Sequence, residues 1–169
     1  AVSPLGMGGL TYGLSTVEMA AAFSAFANNG VYNSPKMYTE VRDSNGEVVL
    51  QHEGETHVAM KETTAYLMNQ MLTSVVNAGT GTSAKFSGMT IAGKTGTTNS
   101  SKDTWFCGYT RYYTTAVWVG YDTPRAMPGI YGKTYAGRIW KQVMDQIHEG
   151  KELSEWEQPV TVEMTTDSK

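Results

Sequence analysis

Cysteine is nearly missing from the 169-residue chain, with Cys107 the single instance. No internal disulfide and no dithiol redox pair can form, so the thiol reads as a small buried core side chain. Histidine is also scarce. His52 and His57 lie among charged and polar residues with no partners at metal-ligand spacing, which predicts surface positions rather than a metal centre. A surplus of positive charge is missing: 16 acidic residues stand against 13 basic ones. Nucleic-acid binding, which wants a basic patch, gains no support from that balance. A long apolar run is missing too. The most apolar stretch, Met19 to Ala27, is half the length of a membrane span. Ala1-Val2-Ser3-Pro4-Leu5-Gly6 has neither an initiator methionine nor signal-peptide character. The chain reads as a piece of a longer one, with any anchor or export signal expected outside it.

What is present is ordinary for a globular domain: 40% hydrophobic and 17% charged residues, net charge −3, at a length that supports one real core. There are no repeats and no low-complexity blocks. Gly6 to Gly13 reads as a loop. Ser15-Thr16-Val17-Glu18 is a capping box opening a helix, and Met19, Ala22, Phe23 and Phe26 follow at the spacing of one buried face. Its many alanines predict close packing, and Gly30 suits its C-terminal stop. Tyr38 to Gln51 predicts a small hairpin turning at Asp43-Ser44-Asn45-Gly46. Lys61 to Asn77 predicts a second helix, with Met68, Met71, Leu72 and Val75 inward.

Three strands follow: Met89 to Thr97, Asp103 to Thr110, and Tyr113 to Tyr121, the last two antiparallel across a short turn. Trp105, Cys107 and Tyr109 share one face by parity, and sheet packing is the first reading of Trp105 and Tyr109. Tyr135 to Glu149 predicts a third helix with Trp140, Val143, Met144 and Ile147 on one face and Gly150 as its stop. Residues 1–150 form the domain portion, and 151–169 an acidic, Thr-rich tail or linker. The order suits an α+β fold, an antiparallel sheet packed by helices.

Two motifs overlap at Gly88-Met89-Thr90-Ile91-Ala92-Gly93-Lys94-Thr95-Gly96-Thr97. Gly88 to Thr95 fits the phosphate-binding loop of nucleotide hydrolases. Lys94-Thr95-Gly96 fits the K-T-G motif of serine penicillin-recognising enzymes. A phosphate loop needs a helix opening at its lysine. Here Thr-Gly-Thr-Thr-Asn-Ser-Ser follows, which is poor helix material, so the K-T-G reading is favoured. Three readings remain: half of a penicillin-recognising enzyme, a nucleotide-binding hydrolase through Gly88 to Thr95, and a non-catalytic interaction module. A Lys94 side chain facing no groove favours the third.

From about Leu5 to about Glu149 the chain resembles the C-terminal part of the transpeptidase domain of bifunctional (class A) penicillin-binding proteins. The likeness rests on Leu14-Ser15-Thr16-Val17-Glu18-Met19-Ala20, Phe26-Ala27-Asn28-Asn29-Gly30 and Ala92-Gly93-Lys94-Thr95-Gly96-Thr97-Thr98. It rests also on Asp103-Thr104-Trp105-Phe106-Cys107-Gly108-Tyr109-Thr110 and Ala116-Val117-Trp118-Val119-Gly120-Tyr121-Asp122. The resemblance implies part of a serine β-lactamase/transpeptidase-like fold. It implies D,D-transpeptidation of peptidoglycan stem peptides outside the cytoplasmic membrane, by a membrane-anchored parent, with β-lactams acylating the same serine.

It implies roles for four residues. Lys94, Thr95 and Thr97 receive the substrate carboxylate, Gly96 keeps the strand open to the substrate backbone, and the Thr97 N–H is one oxyanion-hole donor. No cofactor and no metal are implied. The nucleophile motif S-x-x-K and the second motif S-x-N are absent from these residues. The implied partners are therefore a stem peptide or β-lactam and the upstream part of the domain. The chain alone is expected to be inactive and to self-associate through apolar surface that the parent buries.

Overall fold

A computed structural model describes residues 13–163. The Gly-rich loop expected from Gly6 lies outside them, apart from Gly13. Helix α1 runs Thr16–Ala27. Its capping box is formed: Glu18 N–H donates to the Ser15 hydroxyl, and the Glu18 carboxylate accepts from Ser15 N–H at 2.7 Å and from the Ser15 hydroxyl at 2.8 Å. Strand β1 (Val31–Asn33) and strand β4 (Thr56–Val58) pair antiparallel. These strands are three residues each, too short for sequence alternation to show. Between them β2 (Glu40–Arg42) and β3 (Val48–Gln51) make the expected hairpin. Helix α2 spans Glu62–Ala78. Strands β5 (Ala92–Thr97), β6 (Asp103–Tyr109) and β7 (Thr114–Gly120) form an antiparallel sheet in that order. Helix α3 is Ala136–Ile147.

Both faces of the central strand β6 are covered, which places the core. On one face Phe106 packs with Ala136, Trp140 and Met144 of α3. On the other Tyr109 packs with Tyr66 and Leu72 of α2 and with Phe23 and Phe26 of α1. The order is helix, sheet, helix, so each strand hides side chains of both parities. The Trp140 indole N–H donates to the carbonyls of Thr115 at 3.0 Å and Gly108 at 3.2 Å, tying α3 to β7 and β6.

Several expectations are corrected. Strand β5 starts at Ala92 rather than Met89, because Gly88 turns at φ +83°. Ile91 is nevertheless buried. In α1 the buried seam is Ala21 and Ala25, not Ala22. In α2 it is Ala65, Asn69, Leu72 and Val76, a rotation away from Met71, which is 57% exposed. A polar residue, Asn69, holds the core position. In α3, Ala136, Trp140 and Met144 face the sheet, while Val143 and Ile147 stay exposed. Its apolar stripe is wider than the strip in contact. Where a linker or frayed end is expected after Leu153, Trp156 is 7% exposed, and its indole donates to the Ala27 carbonyl at 3.1 Å.

His52 and His57 are exposed, as expected. The third histidine, His148, is buried. One ring nitrogen lies 2.6 Å from the Met144 carbonyl and the other 2.7 Å from the Thr110 hydroxyl. A carbonyl only accepts, so Nδ1 carries a proton toward Met144.

Candidate functional site

Strand β5 carries Lys94-Thr95-Gly96-Thr97 at one edge of the sheet. Its register on β6 pairs Lys94 with Cys107, Gly96 with Trp105 and Thr97 with Thr104. The ladder closes at Thr98, whose N–H donates to the Asp103 carbonyl at 3.0 Å. Bonded and open pairs alternate along an antiparallel ladder. The backbone groups of Lys94 and Gly96 therefore point into the sheet, while those of Gly93, Thr95 and Thr97 point out from the edge. No strand pairs with that edge among the described residues.

Side chains alternate as well. Ala92 shares the α1/α2 face with Tyr109, so Lys94 and Gly96 lie on that face, and Thr95 and Thr97 on the α3 face. Lys94 is exposed. Its ammonium donates to the Thr95 carbonyl at 2.9 Å, leaving two of its three N–H donors unused by this contact. The Thr95 hydroxyl lies 2.7 Å from the Thr80 hydroxyl. The Thr97 hydroxyl accepts from the Gly132 N–H at 3.2 Å. Thr80 and Gly132 were not singled out from sequence. Both lie in connecting loops, and only the tertiary fold brings them behind β5.

Gly132 is confined from the other side. A Cβ there would sit 2.5 Å from the Trp105 carbonyl oxygen and 2.8 Å from that of Gly96. The loop carrying it is fastened again where Met127 N–H donates to the Ser101 carbonyl at 3.0 Å.

Around the motif, Trp105 is half-buried beside Gly96 on the Lys94 face. Tyr109 is fully buried and serves packing. The Thr98 hydroxyl is used within its own turn, accepting from Asp103 N–H at 2.9 Å. Cys107 is buried, and loss of hydration pushes its thiol up to about 12, so it is no nucleophile at neutral pH.

A cavity of about 380 Å³ lies between Phe86, Gly88, Asp145 and His148, and one of about 170 Å³ between Thr73, Lys85, Thr90 and Glu155. Neither touches the motif, and Lys94 is exposed. Among the described residues no group of His, Cys, Asp and Glu is arranged to hold a metal, and no helix is long and apolar enough to cross a membrane.

The phosphate-loop alternative is overturned. Gly88 lies in a turn, Lys94 is in mid-strand, and no helix opens at it. Phosphate has no helix N-terminus to meet there.

The family model described as "Penicillin binding protein transpeptidase domain" matches residues 1–145. Penicillin-binding protein 1A of Clostridium botulinum is 36% identical over 95% of this chain and 20% of its own length. Penicillin-binding protein 1A of Clostridium perfringens is 40% identical over 87% of the chain and 18% of its own. The chain thus spans about a fifth of the curated relatives it matches. Among solved structures, PonA1 of Mycobacterium tuberculosis superposes with a TM-score of 0.71 at 27% identity, over 89% of this chain and 45% of that one. Penicillin-binding protein 1A of Haemophilus influenzae gives 0.76 over 87% and 28%, at 22% identity, a likeness of fold. Sequence, family model and fold agree: the chain belongs to the penicillin-binding protein transpeptidase family, as a C-terminal part of that domain.

Proposed function

We propose that this chain is the substrate-recognition part of a peptidoglycan D,D-transpeptidase, with the nucleophile supplied by another segment of the same domain. The observation that carries the reading is the unpaired edge at Lys94-Thr95-Gly96-Thr97. An extended stem peptide adds to such an edge by backbone hydrogen bonds. Gly96 presents no side chain to it. The Lys94 ammonium, brought to the strand edge by its bond to the outward Thr95 carbonyl, and the Thr95 and Thr97 hydroxyls from the other face hold the terminal carboxylate at that edge. The outward Thr97 N–H is one donor to the oxyanion, and removing such a donor typically costs about 2.7–4 kcal/mol of barrier.

In the reaction, a serine hydroxyl attacks the penultimate D-alanine carbonyl. The peptide C–N bond breaks, and terminal D-alanine leaves with the proton. An amine of a neighbouring strand then attacks the ester and frees the serine. A β-lactam acylates the same serine with its ring nitrogen as leaving group. The partners are stem peptides, β-lactams and the serine-bearing segment. The site of action is outside the cytoplasmic membrane, in an anchored parent. Alone, the chain is inactive and associates through apolar surface.

Labelled penicillin tests the reading. The full-length protein should be labelled. The chain alone should not be, and adding the serine-bearing segment should restore labelling. Covalent labelling of the chain alone would overturn the assignment. The exposure of Lys94, away from both cavities, favours a second reading, an interaction module. It requires a full-length protein that binds its partner normally yet never acylates.

A further inference from the structure

The four-residue motif does not hold its own hydroxyls in place. Thr80 stands behind Thr95, 2.7 Å oxygen to oxygen, in the loop between α2 and the short 3-10 turn Thr82–Ala84. That loop is fastened on both sides of Thr80. The N–H groups of Gly79 and Gly81 both donate to the Val75 carbonyl, each at 3.0 Å. A Cβ at Gly79 would lie 2.9 Å from that oxygen, so the loop lies tight against the helix end. The Thr80 side chain is exposed, has no part in the core, and meets β5 from a fixed base.

Proton bookkeeping decides what this contact does. Each hydroxyl has one proton to give. A carboxylate only accepts, so a carboxylate bound at β5 accepts a hydrogen bond from the Thr95 hydroxyl. The Thr95 oxygen must then accept from Thr80. The neighbouring Thr97 has the same arrangement, its oxygen accepting from Gly132 N–H while its own proton remains free. A hydroxyl that accepts a hydrogen bond is polarised and donates a stronger one.

Resting on the transpeptidase reading above, we propose that Thr80 is a positioning residue. It donates to Thr95 and thereby aims the Thr95 proton at the substrate or β-lactam carboxylate. It touches neither the reacting carbonyl nor the nucleophile.

The test compares acylation of the full-length protein by a penicillin and by the methyl ester of the same penicillin. Thr80→Val, which keeps shape and removes the hydroxyl, should slow the acid roughly three- to tenfold and leave the ester unchanged. Thr80→Ser should restore the acid rate. In a Thr95→Val background, Thr80→Val should add nothing. Thr80→Ala repeats the comparison should the valine variant not fold. Equal loss for acid and ester, or no loss for either, would overturn the inference and leave the transpeptidase reading standing. If the unaltered full-length protein acylates with neither compound, the transpeptidase reading itself falls, and this inference with it.

Discussion

The Tyr109 phenol donates to the Asn69 side-chain carbonyl at 2.6 Å, where both residues are all but inaccessible to water. The Asn69 amide in turn donates to the Phe26 carbonyl at 3.1 Å. One polar chain thus joins β6, α2 and α1 across the core beside the candidate site. A buried group left without its partner costs about 1–3 kcal/mol. Tyr109→Phe strands the Asn69 oxygen and should lower stability by that amount. Asn69→Leu strands both the phenol and the Phe26 carbonyl and should cost more. Urea unfolding of the two variants checks the order, and a stabilised Asn69→Leu would contradict it.

Alkaline pH should weaken the fold through the same region. Burial raises the Tyr109 phenol above its ordinary value and pushes the Cys107 thiol from about 9 up to about 12. Each group holds its proton more tightly folded than unfolded. The stability they contribute is therefore complete below pH 9 and declines as pH rises toward their folded values. Unfolding followed from pH 8 to 11 should show this fall, and Cys107→Ala should make it shallower. A flat profile would contradict the burial of both groups.

The two glycines that bracket Lys94 should separate stability from recognition. A Cβ on Gly93 would lie 2.7 Å from the Phe106 ring and 3.0 Å from the Cys107 carbonyl. Gly93→Ala should cost about 1–3 kcal/mol by overpacking. On Gly96 the nearest atom is the Trp105 Cβ at 3.2 Å, and the next are Trp105 ring atoms at 3.8 and 3.9 Å, ordinary van der Waals contact. Gly96→Ala should unfold near the parent's midpoint, while penicillin labelling of the full-length protein falls. Equal effects of the two substitutions on stability would count against this division.

Local chemistry was legible from sequence wherever it acts locally. Ser15 and Glu18 announce a helix start, Asn45-Gly46 announces a hairpin, and the alternation from Trp105 to Trp118 announces paired strands. Legibility ended where a distant partner decides. Asn69 occupies the core because Tyr109 and Phe26 satisfy it, and no periodicity of apolar residues can show that. Trp156 looks like part of an acidic tail until α1 offers it the Ala27 carbonyl. At the site, the motif itself is readable in four consecutive residues. Thr80 and Gly132 are not, because they lie 15 and 35 positions from the hydroxyls they meet.

Helix α3 leaves Tyr135, Ile139, Val143 and Ile147 at 42–52% exposure, four residues apart and so in one row along its outer side. A continuous apolar row facing water favours association. The chain alone should sediment as more than a monomer at high concentration. Ile139→Lys together with Val143→Lys should shift it toward monomer without loss of helical signal. A monomer in the unaltered chain would remove the basis for self-association.

Lys94 gives the sharpest separation of recognition from folding. Its only side-chain hydrogen bond among the described residues runs to the carbonyl of the next residue, and its side chain is exposed. Substitutions at such surface positions usually change stability by less than about 0.5 kcal/mol. Lys94→Ala should therefore melt like the parent. It should nevertheless lose most penicillin labelling in the full-length protein, because the carboxylate loses its fixed cation. Lys94→Arg keeps the charge but replaces a compact ammonium with a broad planar fork, so it should recover only part of the rate. If Lys94→Ala labels as fast as the parent, the carboxylate is held elsewhere and the open edge of β5 is only a sheet margin. If Lys94→Ala fails to fold, the lysine has a structural partner beyond its neighbour's carbonyl, and the assignment of its charge to the substrate loses its footing.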